Sequence, residues 1–281
     1  MLYSLKPQKT GTVLTNGINL YYETFGNPSH PAVLLIMGLS CQCLQWFPYI
    51  IKPMVKQGYY VIRFDNRDVG LSTWIAPDDW QNNPYNLEDL AKDTIGLLKA
   101  LGIDKVHIIG ASMGGAIAQR ITISYPACVL SLTCIVSFAD ASVLGRGGIS
   151  PTFISRVPSL TEYLSFWSML AGTTFPLDVS LYTELYQETV IGRGYNPNCM
   201  VHQLTALGRS SSRMAELKQI RVPTLVLYGT ADPLIPQVHA VEYANLIPHV
   251  KLFLMAGVGH DIPEGICQTI HPEIFNLFSL I

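Results

Sequence analysis

The chain has 281 residues, enough for one large domain or two small ones. Its 18 basic and 20 acidic residues give a formal charge of −2, which excludes a protein that binds nucleic acid through a basic surface. Hydrophobic residues make up 49% of the chain and charged residues only 14%, so a large core or a membrane must take up the apolar side chains. No apolar run reaches the roughly 18 residues of a membrane-spanning helix, and we therefore expect a large core and no membrane span.

The first residues contain no apolar segment of the kind that directs secretion, so we expect no secretory signal. The six cysteines form no C-x-x-C pair, which argues against zinc and thioredoxin-type sites. We therefore expect reduced thiols in a cytoplasmic protein. Neither a metal nor an organic cofactor is implied, and a homodimer is left open.

Strands and helices alternate along most of the chain. A hairpin turning at Asn16-Gly17 is predicted first, because Asn-Gly between β-prone runs favours a two-residue turn. The unalternating apolar run 32–37 is typical of a strand buried on both faces. Strands are also predicted over 59–64, 105–109, 130–138, 222–228 and 250–254, with helices between most of them. This alternation predicts an α/β fold with a parallel sheet.

The clearest predicted helix begins at Asn86. Asp89 follows three residues later, so the two residues fit a capping box, and Gly102 fits the glycine that ends a helix. Residues 140–218 then break the alternation with prolines, glycines and short helical patterns. We expect this segment to be a helical cap, inserted into a core made of residues 1–139 and 219–281.

Ser112 lies in the sequence Gly110-Ala-Ser-Met-Gly114, directly between a predicted buried strand and a predicted helix. In that context G-x-S-x-G forms a tight turn that raises a nucleophilic serine hydroxyl above the sheet. A phosphate-binding glycine loop is the alternative. A dehydrogenase would also need Tyr-x-x-x-Lys, and a nucleotide P-loop would need Gly-Lys-Ser/Thr; neither occurs.

A serine nucleophile needs a base and a carboxylate that orients the base. Asp232 follows one late strand, and His260 follows the next in a turn of small residues. The order Ser112, Asp232, His260 is the order of the G-x-S-x-G hydrolases. Asp140, just after the strand at 130–138, is the rival for the acid. Asp261 is expected to face solvent or to cap a helix. The histidines other than His260 are expected to be ordinary structural, surface or loop residues.

The chain resembles the α/β-hydrolase superfamily, and within it the small bacterial hydrolases of the aclacinomycin methylesterase type. The resemblance rests on Met37-Gly38, the run from Asp65 to Ser72, the Ser112 turn, Gly229-Thr-Ala-Asp232 and Gly259-His260. It implies a mostly parallel eight-stranded sheet flanked by helices. It also implies that Ser112 is the nucleophile, His260 the base and Asp232 the orienting acid.

The same resemblance places the oxyanion hole at the backbone N–H groups of Leu39 and Met113. Two positions depart from the common superfamily pattern, because Met37 replaces a histidine and Asp68 replaces a glycine. Both departures are features of the methylesterase-like group. Asp65, Arg67 and Asp68 are expected to form a structural network beside the site.

Aromatic side chains are frequent in the expected cap: Phe153, Tyr163, Phe166, Trp167, Phe175, Tyr182 and Tyr186. Two interpretations are open: these side chains form the core of the cap, packed on the sheet, or some of them line an apolar substrate pocket. Phe166 and Trp167 are our candidates for substrate binding, together with Trp46 near the first loop. The low charge predicts a neutral, fairly hydrophobic substrate.

The sequence therefore predicts a carboxylesterase of the serine type, acting on a small-molecule ester through an acyl-enzyme. A C–C bond hydrolase, a lyase or a perhydrolase would use the same triad, and a ligand-binding receptor can retain it. An epoxide hydrolase or haloalkane dehalogenase is disfavoured, because those enzymes carry aspartate where this chain has Ser112.

Overall fold

The computed structural model describes residues 4–146 and 156–281, and its strands form one eight-stranded sheet. The order in the sheet is β1-β2-β4-β3-β5-β6-β7-β8. Strand β2 runs antiparallel to both of its neighbours, and the remaining pairs are parallel, as predicted. In chain order the strands are β1 (Lys9–Thr15), β2 (Ile18–Phe25), β3 (Ala32–Ile36), β4 (Tyr60–Phe64), β5 (Val106–Ala111), β6 (Val129–Ile135), β7 (Thr224–Gly229) and β8 (Val250–Met255).

Nine α-helices occur within the described ranges, and none of them is long and apolar enough to cross a membrane. They are α1 (Pro48–Lys56), α2 (Pro77–Asn82), α3 (Leu87–Ala100), α4 (Met113–Ser124), α5 (Leu160–Leu170), α6 (Val179–Tyr186), α7 (Cys199–Arg209), α8 (Gln237–Ala244) and α9 (Glu264–Phe278). A π-helical stretch, Gln187–Arg193, follows α6 directly.

Helices cover both faces of the sheet. Helices α1 and α9 pack on one face, around a cluster that contains Trp46, Ile109 and Ile270. Helices α3, α4 and α8 pack on the other face, around a larger cluster that contains Leu34, Ile117 and Tyr243. Strands β3, β4 and β5 are buried along their whole length because both of their faces are covered.

The predicted capping box of α3 is confirmed. The Asn86 side chain accepts a hydrogen bond from the Asp89 N–H at 3.0 Å, and the Asp89 carboxylate accepts one from the Asn86 N–H at 3.1 Å. The helix between β3 and β4 is short and begins late in the connection. A 3₁₀ turn precedes it and α1 begins at Pro48, because proline is suited to the first turn of a helix.

Helices α5, α6 and α7 all lie between β6 and β7 in the chain. Residues 170–172, at the end of α5, are joined to residues 258–260 after β8; we call this the α5–β8 junction. The His260 N–H donates to the Leu170 carbonyl at 2.7 Å, and Gly172 forms a β-bridge with Val258. A Cβ atom on Gly172, whose φ is +88°, would lie 2.3 Å from the Gly259 nitrogen. The junction therefore holds the connection after α5 directly against the loop that carries His260.

Candidate active site

Ser112 connects β5 to α4 through a sharp turn. Its φ is 53° and its ψ is −119°, a strained conformation for a residue with a side chain. A Cβ atom on Gly110 would lie 2.2 Å from the Gly114 carbonyl oxygen, and one on Gly114 would lie 2.0 Å from the Ile36 carbonyl oxygen. The two glycines of G-x-S-x-G are therefore required by close backbone contacts, and the turn places the Ser112 hydroxyl at the carboxyl edge of the sheet.

Ser112, His260 and Asp232 form one chain of hydrogen bonds. The distance from Ser112 Oγ to His260 Nε2 is 2.9 Å, and the distance from His260 Nδ1 to Asp232 Oδ2 is 2.7 Å. Because a carboxylate only accepts, Nδ1 carries the ring proton and Nε2 is free to accept from the serine. The side chain of Asp232 is 0% exposed and that of His260 is 9% exposed. The structure thus brings together the three residues that the sequence places after β5, β7 and β8.

The Asp232 carboxylate is fixed by its own loop. Its Oδ1 accepts hydrogen bonds from the N–H groups of Leu234 and Ile235, at 2.8 and 3.0 Å.

Asp140, the alternative candidate for the acid, forms a hydrogen bond within its own loop. It accepts a hydrogen bond from the Ser142 N–H at 2.9 Å, which lowers the pKa of its carboxyl group. Within the described residues it has no bond to His260.

The N–H groups of Leu39 and Met113 both lie beside Ser112. Met113 is the first residue of α4, so its N–H has no partner within the helix. Leu39 follows Gly38, where an added Cβ atom would lie only 3.1 Å from the Ser112 Cβ. Among the hydrogen bonds of the described chain, neither N–H has an acceptor. Two amide donors beside a nucleophile can stabilise an oxyanion.

The loop that carries Leu39 is held by side chains from distant parts of the chain. Gln203, on α7, accepts a hydrogen bond from the Ser40 N–H at 2.7 Å and donates one to the Arg67 carbonyl at 3.1 Å. Asn66 donates to the Met37 carbonyl at 3.1 Å. Farther along the loop, Asp65 Oδ1 accepts from the Cys43 N–H at 2.7 Å. Gln203 is fully buried and was not among the candidates from the sequence.

Asp68 lies at the centre of a buried network, as the sequence analysis expected for this run. It has a φ of +68° and accepts hydrogen bonds from the Tyr85 hydroxyl at 2.9 Å and from the Asn196 amide at 3.1 Å. His202 Nδ1 lies 2.9 Å from Asp68 Oδ2. His202 is a buried structural residue, because α7 packs it against the core and Trp80 stacks on its ring.

Ser112 and His260 open onto a cavity with about 140 Å³ of free space. Leu39 lines this cavity, and so do Phe166 and Trp167, which are two of the predicted substrate-binding residues. Trp46 does not line it, and that prediction is corrected. The 3₁₀ turn before α1 directs the Trp46 side chain into the core between the sheet and α1, where it is 0% exposed.

The other predicted aromatic residues take different positions. Tyr163 lines the cavity, whereas Tyr182 and Tyr186 are buried behind it. Phe175 lies over Gly265 at the start of α9. Phe153 lies outside the described residues.

Asp261 does not face open solvent, which corrects the expectation from the sequence. It is partly buried in the wall of the cavity, and its Oδ1 accepts a hydrogen bond from the Tyr182 hydroxyl at 2.7 Å. Burial raises the pKa of its carboxyl group above the ordinary value. Burial also raises the pKa of the nearby Cys41 thiol to about 12, so this thiol stays protonated at neutral pH.

The chain was compared with proteins of known sequence and structure. It is similar to rhodomycin D methylesterase DnrP of Streptomyces peucetius, with 26% identity covering 94% of this chain and 96% of that protein. Its fold is similar to that of the enol-lactonase from Burkholderia xenovorans LB400, with a TM-score of 0.78, 18% identity and coverage of 96% and 100%. It is also similar in fold to a thermophilic esterase from Thermogutta terrifontis, with a TM-score of 0.77, 20% identity and coverage of 96% and 99%.

A family model adds to these similarities. The model of the alpha/beta hydrolase family matches residues 34–272, a region that includes Ser112, Asp232 and His260. The eight-stranded, mostly parallel sheet with helices on both faces agrees with that match. The chain therefore belongs to the alpha/beta hydrolase family.

Proposed function

We propose that this protein is a serine carboxylesterase in which Ser112, His260 and Asp232 form the catalytic triad. The observation that carries the proposal is the unbroken chain of hydrogen bonds from Ser112 Oγ through His260 to Asp232, at the wall of a cavity. The free N–H groups of Leu39 and Met113 complete the requirements for acyl transfer. The similarity to a methylesterase supports an ester as the substrate.

In the proposed reaction, Ser112 Oγ attacks the ester carbonyl carbon while His260 Nε2 takes the serine proton. The carbonyl oxygen becomes an oxyanion, which the Leu39 and Met113 N–H groups bind. Asp232 holds Nδ1–H and stabilises the imidazolium. The imidazolium then gives its proton to the leaving alcohol, and the acyl group remains on Ser112. Water, activated by His260, attacks the acyl-enzyme and releases the acid.

The cavity supports a small, fairly hydrophobic group on the substrate. Apolar side chains such as Met200, Leu207 and Leu234 make up most of the wall around Ser112. The free space of about 140 Å³ is similar to that of an engineered apolar cavity of about 150 Å³ that binds benzene. We infer that the buried part of the substrate is about the size of one ring.

We propose that residues 140–218 form a cap on a core made of residues 1–139 and 219–281. Helices α5, α6 and α7 belong to this segment, and Phe166, Trp167 and Met200 bring it to the cavity wall. We also propose a cytoplasmic location, supported by six cysteines that are all free thiols. A homodimer stays a prediction.

Labelling with a fluorophosphonate tests the proposed function. The reagent should phosphonylate Ser112 with a stoichiometry near one per chain, located by peptide mass spectrometry, and hydrolysis of p-nitrophenyl esters should fall in parallel. Among esters of graded size, those with short acyl groups should have the highest kcat/KM. Labelling without ester turnover would contradict an esterase and favour a C–C bond hydrolase or a receptor. The absence of labelling would contradict the serine nucleophile.

Gln203 is expected to position the Leu39 N–H, because it binds the N–H of the next residue. In Gln203→Leu, kcat for a p-nitrophenyl ester should fall about 10- to 100-fold, with little change in KM. The reason is that a lost oxyanion donor costs about 10²- to 10³-fold, and a displaced donor costs less. Gln203→Glu is the matched variant, since it keeps an oxygen acceptor for Ser40 and should retain more of kcat. An unchanged kcat in a folded Gln203→Leu would contradict this role.

A further inference from the structure

Asp261 has one carboxylate oxygen that the protein uses and one that it does not. Oδ1 accepts hydrogen bonds from the Tyr182 hydroxyl and from the Ile262 N–H, both at 2.7 Å. Oδ2 has no hydrogen-bond partner among the described residues. It is also not one of their fully buried side-chain atoms without a partner, so part of its surface is accessible. Because Asp261 lines the cavity, Oδ2 is available to a molecule that occupies it.

Within the described part of the chain, Asp261 forms no ion pair with a lysine or an arginine, and His260 is the only basic group whose charge affects its pKa. The other titratable groups on which its charge acts are Tyr49, Tyr163, Tyr182, Cys41 and Cys267. Burial raises the pKa of all five groups, so they are neutral at neutral pH. A polar oxygen in such a wall gains stability when a ligand donates a hydrogen bond to it.

We propose that Asp261 determines substrate specificity by accepting a hydrogen bond from a hydroxyl group of the substrate. The preferred esters would then carry a hydroxyl close to the ester bond, on the acyl or the alcohol part. This inference rests on the proposed esterase function. The hydroxyl must be close because Asp261 and Ser112 line the same cavity, which has only about 140 Å³ of free space.

A hydroxyl fits this site better than an ammonium group. During the proposed reaction the His260 ring becomes an imidazolium, and an ammonium beside it would repel the charge that the transition state must develop. The Tyr182 hydroxyl, already bound to this carboxyl group, is a neutral donor of the same kind.

The test compares kcat/KM for matched esters. Ethyl butyrate is the reference, ethyl 3-hydroxybutyrate carries the hydroxyl on the acyl part, 2-hydroxyethyl butyrate carries it on the alcohol part, and ethyl 3-aminobutyrate carries an ammonium. The wild type should prefer one of the two hydroxy esters over ethyl butyrate by about 10- to 100-fold, the range for a hydrogen bond to a charged group. Which hydroxy ester is preferred shows the side of the ester bond that faces Asp261.

In Asp261→Leu the preference should fall to about one. Asp261→Asn should keep a reduced preference, because a neutral acceptor forms a bond about half as strong; it also carries the test if the leucine variant does not fold. A change that acts only through His260 would alter kcat/KM for all four esters equally. The ratio of kcat/KM for the hydroxy ester to that for ethyl butyrate therefore reports the contact with Asp261 alone. The inference would be overturned if this ratio were equal in the wild type and Asp261→Asn, or if the wild type preferred the amino ester. A wild type that labels with fluorophosphonate but cleaves none of the esters would instead contradict the esterase function.

Discussion

Ser112→Ala should reduce kcat for short p-nitrophenyl esters by about 10⁴- to 10⁶-fold, the range found when the serine of such a triad is removed. Alanine cannot attack the carbonyl, whereas the Leu39 and Met113 N–H groups remain and leave a small residual rate. The temperature of unfolding should change little, because Ser112 is only partly buried and alanine has the same backbone strain at a φ of 53°.

The matched control is Ser142→Ala, which removes an exposed serine hydroxyl from the segment after β6. Both variants are measured under the same conditions, with circular dichroism to establish the fold. Ser142→Ala should retain full activity. Turnover by Ser112→Ala within tenfold of the wild type would rule out the assigned nucleophile.

Asp232→Asn should lower kcat by about 10⁴-fold with little change in KM. An asparagine amide can donate to Nδ1, which favours the wrong tautomer of His260 and leaves Nε2 unable to take the serine proton. Asp140→Asn is the control, because Asp140 is bound to Ser142 and has no bond to His260 within the described residues. It should keep kcat close to that of the wild type.

Steady-state kinetics on one ester shows which of the two carboxylates orients His260. Thermal unfolding of each variant shows that the fold is intact. A larger loss of kcat in Asp140→Asn than in Asp232→Asn would transfer the role of the acid to Asp140. Equal and small losses would show that His260 does not depend on either carboxylate.

Most of the fold could be predicted because its determinants are local. The β1–β2 turn depends on Asn16-Gly17, and the start of α3 depends on Asn86 and Asp89. The position of Ser112 could also be predicted, since the turn needs glycine at fixed neighbouring positions. In each case the residues that interact lie within a few positions of one another.

The supports of the site could not be predicted, because they join parts of the chain that are far apart. Gln203 is 163 residues from Ser40, and His202 is 134 residues from Asp68. Nothing in the local sequence of α7 distinguishes these polar side chains from solvent-exposed ones. Trp46 was misplaced for a related reason, since closeness in sequence to the first loop does not fix the direction of its side chain.

The α5–β8 junction has a consequence for protein engineering. An added Cβ atom would lie 2.3 Å from the Gly259 nitrogen at position 172, and 2.0 Å from the Leu170 carbonyl oxygen at position 259. A chimaera that replaces α5 and its following loop with those of a relative must therefore keep glycine at both positions. Otherwise the transplanted segment would push the His260 loop away from Ser112, and a graft intended to change substrate choice would remove activity instead.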